Sequence, residues 1–137
     1  MTPEQIELVQ RTWRSVLPVR DTAAELFYGK LFSLDPGIRT LFSNDMQDQG
    51  RNLVAMISIA VGSLSHPERV LLAVQQLGRR HAAYGVLPRH YEAVAIALLW
   101  TLETCLGEVF TPQAREAWND VYGTLSKTMQ DAACVAA

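Results

Sequence analysis

Apolar residues recur at helical spacing along almost the whole chain, and no stretch sustains a period of two. Prolines, glycines and capping residues divide the pattern into about seven segments with short joints. Together these features predict an all-α, non-membrane domain built around one core. At 137 residues the chain has the length of one domain, spanning 1–137, with about 131–137 expected as a frayed tail. A chain of this size buries roughly two thirds of the surface it exposes when unfolded, so it needs no staple.

The elements follow in order. Thr2-Pro3-Glu4-Gln5 has a Thr cap, Pro at the first helical position and Gln closing a capping box. Ile6, Val9, Trp13, Val16 and Leu17 then share a helical spacing until Pro18 interrupts. A second helix is expected from about Asp21, as its cap, to Leu34, with Ala24, Phe27, Tyr28 and Leu31 on one face. Asp35-Pro36 opens a short helical turn ending near Leu41-Phe42, and Ser43 to Asp48 reads as a polar loop. A long helix starts between 46 and 49 and runs to Leu64, where Ser65-His66-Pro67 breaks it. Pro67 is expected to open a helix carrying Val70, Leu71, Val74, Leu77 and His81, ended near Gly85. Pro88 starts a helix to about Leu106, which Gly107 stops. Thr111-Pro112 starts the last one, with Trp118, Val121, Tyr122, Leu125 and Met129.

Composition excludes several classes. With 49% hydrophobic and 19% charged residues, disorder is not the main state. The net charge is −2 with the signs interspersed and no basic run, so neither nucleic acid nor an anionic membrane is an expected partner. The longest apolar stretch, Ala93 to Trp100, is too short to span a bilayer. The start, Met1-Thr2-Pro3-Glu4-Gln5, lacks the pattern of a signal peptide, and the expected compartment is the cytoplasm. Cys105 and Cys134 show no metal spacing; Cys105 reads as a small core residue and Cys134 as an exposed thiol. There is no Gly-rich phosphate loop, no H-E-x-x-H and no G-x-S-x-G. His66, in a Ser/Pro joint, and His90, beside Arg89 at a helix start, are both expected at the surface.

Chemistry then rests on residues that pattern alone leaves open. Val70, Val74, Leu77 and His81 form one helical stripe, which places His81 on the expected buried face, at its C-terminal end. A lone histidine there is more often a satisfied core residue than a ligand, although burial favours the neutral imidazole that binds iron. Gln49 lies four residues before Leu53, on the stripe of Leu53, Ile57, Ala60 and Leu64; by itself it is an ordinary first-turn glutamine. Tyr28, on the apolar face of its helix, needs a partner for its hydroxyl if buried. Phe42 and Tyr91 are, on pattern, ordinary aromatics.

Taken jointly, these segments resemble bacterial globins, specifically the haem domain of flavohaemoglobins and the stand-alone Hell's Gate globins. The resemblance runs from about Pro3 to Met129. It is carried by Leu26-Phe27-Tyr28-Gly29-Lys30-Leu31-Phe32, Leu41-Phe42, Gln49-Gly50-Arg51-Asn52-Leu53, Leu77-Gly78-Arg79-Arg80-His81, Tyr84-Gly85-Val86, Pro88-Arg89-His90-Tyr91 and Ala117-Trp118 with Val121-Tyr122-Gly123. It implies a globin fold in a 3-on-3 arrangement around one haem b (iron protoporphyrin IX). His81 is implied as the axial iron ligand, with Tyr28, Gln49 and Leu53 on the distal side and Phe42, Val86 and Tyr91 against the haem. The implied function is high-affinity binding of dioxygen and other diatomic gases, with nitric oxide dioxygenase chemistry and gas or redox sensing as alternatives. A monomer or weak homodimer is expected.

Two departures qualify the resemblance. Flavohaemoglobins carry a glutamate in the last helix that pairs with the tyrosine matching Tyr91 and with the proximal histidine; Ala133 stands at that position, and Asp131 is a poor substitute. The histidine is then a weaker electron donor. The sequence also shows no flavin- or nicotinamide-binding domain, so any cycle needing electrons is expected to take them from a separate reductase.

Overall fold

In the computed structural model, which describes residues 2–42 and 45–136, punctuation sets most helix ends. α1 (Pro3–Val16) begins on its capping box. The Gln5 N–H donates to Thr2 Oγ1 at 3.2 Å and the Thr2 N–H donates to Gln5 Oε1 at 3.0 Å. Pro18 falls in a 3-10 turn (Leu17–Val19), and α2 (Arg20–Leu34) follows at once. Val19 therefore takes the cap position expected of Asp21, which sits in the first turn instead. A tight turn suits proline, which has no N–H for an α-helical bond. Asp35-Pro36 opens a second 3-10 turn (Pro36–Leu41).

Of the loop expected over 43–48, Ser43 and Asn44 lie outside the described residues, and the rest is cap and helix. Asp45 caps α3 (Met46–Gly62) by accepting from the Gln47 N–H at 2.7 Å. Pro67 opens a 3-10 turn (Pro67–Arg69), not the helix itself; α4 (Leu71–Ala83) comes after it, and the chain turns at Gly85 with φ 94°. α5 (Pro88–Leu106) ends at Gly107, φ 55°, where a further 3-10 turn (Gly107–Val109) follows. Thr111 Oγ1 accepts from the Ala114 N–H at the start of α6 (Pro112–Ala136). Helix α6 thus runs on through 131–136, and Ala132 is buried. The seven expected segments are these six α-helices plus the turn 36–41. Among the described residues no helix is long and apolar enough to cross a membrane.

The six helices take the globin arrangement. α1 packs on α3, α2 packs on α5, and α5 on α6. α1 also meets α6, α2 meets α3, and α4 rests chiefly on α6. The core lies where α1, α2, α5 and α6 converge, and Trp118, Leu31, Leu102, Val9, Val16 and Thr12 are its largest fully buried side chains. Trp118 packs against Trp13 with ring centroids 5.9 Å apart. The two indoles are satisfied from different helices. Trp118 Nε1 donates to Thr12 Oγ1 at 2.8 Å, and Trp13 Nε1 donates to Ser58 Oγ at 2.9 Å. Because α4 leans on α6, a cleft opens between α3 and α4, floored by α5 and α6.

Thr12→Val keeps the side-chain shape but leaves the buried Trp118 N–H without its acceptor. It is expected to cost about 1–3 kcal/mol. Urea unfolding checks this, and the loss should shrink when Thr12→Val is combined with Trp118→Phe, which removes the orphaned donor.

Candidate functional site

The cleft encloses a cavity of about 390 Å³, within the roughly 300–1,000 Å³ range of cofactor sites. Its wall is mostly aliphatic. Leu53, Ile57 and Val61 come from α3, Val74 and Leu77 from α4, Val94 and Leu98 from α5, and Val121 and Leu125 from α6. Polar groups reach the wall only at Arg80, His81, His90, Tyr91, Tyr122, Ser126 and the Trp118 indole, counting the described residues.

His81 is the side chain on that wall with ligand chemistry to spare. Its Nδ1 lies 2.9 Å from the Leu77 carbonyl oxygen, one turn back on α4. A carbonyl can only accept, so Nδ1 carries the proton and Nε2 keeps a free lone pair. Burial holds the imidazole pKa below its ordinary value; the Leu77 bond opposes that shift and Arg80 adds to it. The ring is thus neutral and fixed in the tautomer that a metal ion needs. Among the described residues no carboxylate bonds to it. Asp131 is exposed and pairs with Lys127 at 2.7 Å, and Ala133 occupies the position where the sequence suggested a glutamate was missing.

Three other expected residues line the same cavity: Leu53, Val86 and Tyr91. Val86 is tied to the end of α4, its N–H donating to the His81 carbonyl at 3.0 Å. Tyr91 is held through its backbone, whose carbonyl accepts the Tyr122 hydroxyl at 2.7 Å. Burial raises the pKa of both phenols, most strongly for Tyr122.

Tyr28, Phe42 and Gln49 are not on the cavity wall. They form an adjoining group where α2, α3 and the turn 36–41 meet. Tyr28 is buried and packs edge-on against Phe27 and Phe42, with ring centroids at 5.1 and 5.5 Å, and stacks on Phe32 at 5.9 Å. Its hydroxyl donates to the backbone carbonyl of Gln49 at 3.3 Å. That is longer than an ordinary O–H···O bond. The group abuts the cavity, since Phe27 and Leu53, its neighbours along α2 and α3, are wall residues.

His90 corrects a sequence expectation. It is buried, not exposed, and lines the cavity. Its Nδ1 accepts the Leu87 N–H at 2.9 Å, which satisfies a free donor at the start of α5, and its Nε2 faces Asp35 at 3.6 Å. The spacing Leu87-Pro88-Arg89-His90 puts a side-chain acceptor three residues past the helix boundary, and that was the available signal. His66 is exposed beside Glu68, as expected. Cys105 is part-buried against the core, Cys134 is exposed, and both are free thiols. Among the described residues no cluster of three or more His, Cys, Asp or Glu could hold a metal ion without a further group.

Six helices around an apolar cavity, with an imidazole nitrogen free on its wall, suit a haem-binding fold. The Globin family model matches residues 25–129, and the chain belongs to that family. Over 133 residues it is 29% identical to a flavohemoprotein of Xylella fastidiosa, covering 95% of this chain and 33% of that protein. A flavohemoprotein of Deinococcus radiodurans is 30% identical over 132 residues, covering 94% and 33%. The chain thus spans about a third of the length of these relatives. The fold is shared with a hexacoordinated heme protein from an anhydrobiotic tardigrade, at TM-score 0.87 and 15% identity over 98% of this chain and 96% of that one. Haem is the cofactor, and it supplies the iron at which diatomic gases bind. The residues present suit it: an apolar slot for the macrocycle and a free imidazole nitrogen for the metal.

Burial pushes the Tyr28 pKa from 10.0 to about 12, so the phenol is a hydrogen-bond donor throughout the neutral range. A raised folded-state value means that stability is intact below the unfolded value and is lost as pH rises from 10 towards 12. Tyr28→Phe should therefore flatten the alkaline decline in stability between pH 10 and 12, read as the difference between wild-type and variant urea midpoints.

Proposed function

We propose that the chain is a high-affinity binder of dioxygen, with His81 as the axial iron ligand and Tyr28 and Gln49 as donors to the bound gas. The observation that carries the proposal is the setting of the Tyr28 hydroxyl. It is buried, protonated and committed only to a long bond with the Gln49 carbonyl. A bound gas that takes up negative charge is a better acceptor than a neutral carbonyl, and such a bond is worth roughly 1.5–3 kcal/mol. The Gln49 side chain, one turn before the wall residue Leu53, is the second donor. Leu53 and Phe42 keep water away, while Val86 and Tyr91 hold the far edge of the slot. Dioxygen is favoured over carbon monoxide, which accepts hydrogen bonds poorly.

A second reading is supported by the flavohemoprotein relatives. In it, dioxygen, nitric oxide and one electron from a separate reductase yield nitrate at the same site. The proximal side weighs against strong activation, because His81 donates to a neutral carbonyl and not to a carboxylate.

His81→Ala should abolish the intense Soret band of the purified protein. Tyr28→Phe should speed dioxygen dissociation by at least about tenfold, the equivalent of about 1.4 kcal/mol; an unchanged rate in stopped-flow exchange would place the hydroxyl elsewhere. For the second reading, mixing the dioxygen complex with nitric oxide and a reductase should give many turnovers of nitrate. A single stoichiometric burst would leave dioxygen binding as the function.

A further inference from the structure

We infer that Gly78 is the positioning residue for His81, setting how far the proximal imidazole reaches towards the iron. This rests on the reading of His81 as the axial ligand. Gly78 is the buried member of α4 and lies where that helix crosses α6. A Cβ at this position would fall 2.2 Å from the Met129 carbonyl oxygen, 2.6 Å from its Cα and 2.7 Å from its carbonyl carbon. All three are backbone atoms, which cannot swing aside as a side chain can. The two helices therefore meet backbone to backbone.

Glycine is not needed here for its dihedral angles, since the position is ordinary helix. In a helix interior glycine costs stability relative to alanine. The close approach is what it provides in return. The contrast with Gly123 on α6 is direct, because a Cβ there meets nothing within 4 Å.

The crossing matters for the site because α4 packs chiefly on α6. His81 stands one turn beyond Gly78, near the same face of α4. It is also locked to α4 by the Leu77 carbonyl. Lifting α4 to admit a Cβ moves the helix and the imidazole together, with no loop between them to absorb the shift. The height of Nε2 over the cavity is thus a consequence of the missing side chain at 78.

The test uses the holoprotein and the iron–histidine stretching band of its ferrous, ligand-free form, read by resonance Raman. Gly78→Ala should shift that band beyond its wild-type width and speed haem transfer to apomyoglobin on the order of tenfold. Gly123→Ala should change neither. In His81→Gly protein reconstituted with free imidazole, adding Gly78→Ala should leave the iron–imidazole band unmoved, because the ligand is no longer attached to α4. An equal shift in that background overturns the proposal, since the substitution would then be acting on the pocket as a whole. Retention of the wild-type band in His81→Gly alone shows instead that His81 is not the ligand, and the underlying reading fails first. If Gly78→Ala yields no folded holoprotein, the wild-type holoprotein decides by crystallography. The crossing must keep Gly78 too near the Met129 backbone for a Cβ, and a gap wide enough for one overturns the proposal.

Discussion

Trp118 must be buried and its indole N–H must still find an acceptor, and much of the architecture follows from meeting both demands at once. The acceptor is Thr12 on α1, whose hydroxyl in turn donates a hydrogen bond to the Leu8 carbonyl at 2.7 Å. That chain of donors fixes α1 against α6. Further along α6, Tyr122 is tied to the Tyr91 carbonyl and Met129 receives α4 at Gly78. One helix therefore carries three registrations, each made by a different kind of contact: a buried hydrogen bond, a phenol-to-backbone bond and a bare backbone crossing. Trp118 also forms part of the cavity wall, so the same side chain joins core and site.

The helical fold was largely legible because helical periodicity and punctuation are local signals. Thr2, Thr111, Gly85 and Gly107 act where their chemistry says they should. The misplacements share a cause. Whether a proline opens an α-helix or a 3-10 turn, as at Pro67, and whether Asp21 or Val19 takes a cap, depend on how the segment meets its neighbours. His90 follows the same logic. Beside Arg89 at a helix start it read as exposed, but α5 docks against α2 so that the imidazole turns inward towards Asp35.

The site was legible in part. Helical stripes placed His81 and Leu53 on inward faces, and both line the cavity. A stripe cannot say what a hydroxyl bonds to. The bond of Tyr28 to the Gln49 backbone depends on how α2 and α3 cross, near Gly50, whose Cβ would come within 3.0 Å of the Ala24 Cβ. Nor could spacing reveal that His81 relies on its own helix, through the Leu77 carbonyl, for a proton acceptor, where the resemblance implied a carboxylate in relatives. On the proposed reading of His81 as the axial ligand, its proton acceptor is a main-chain group that substitution of a side chain cannot remove.

The wall of the cleft has a bearing on the stability of the fold. A surface this apolar is costly to leave to water, and a cofactor that fills it acts as part of the core. Binding to the folded chain alone draws the folding equilibrium towards the native state by mass action. The stability of the folded chain is thereby linked to occupancy of the cleft by its cofactor.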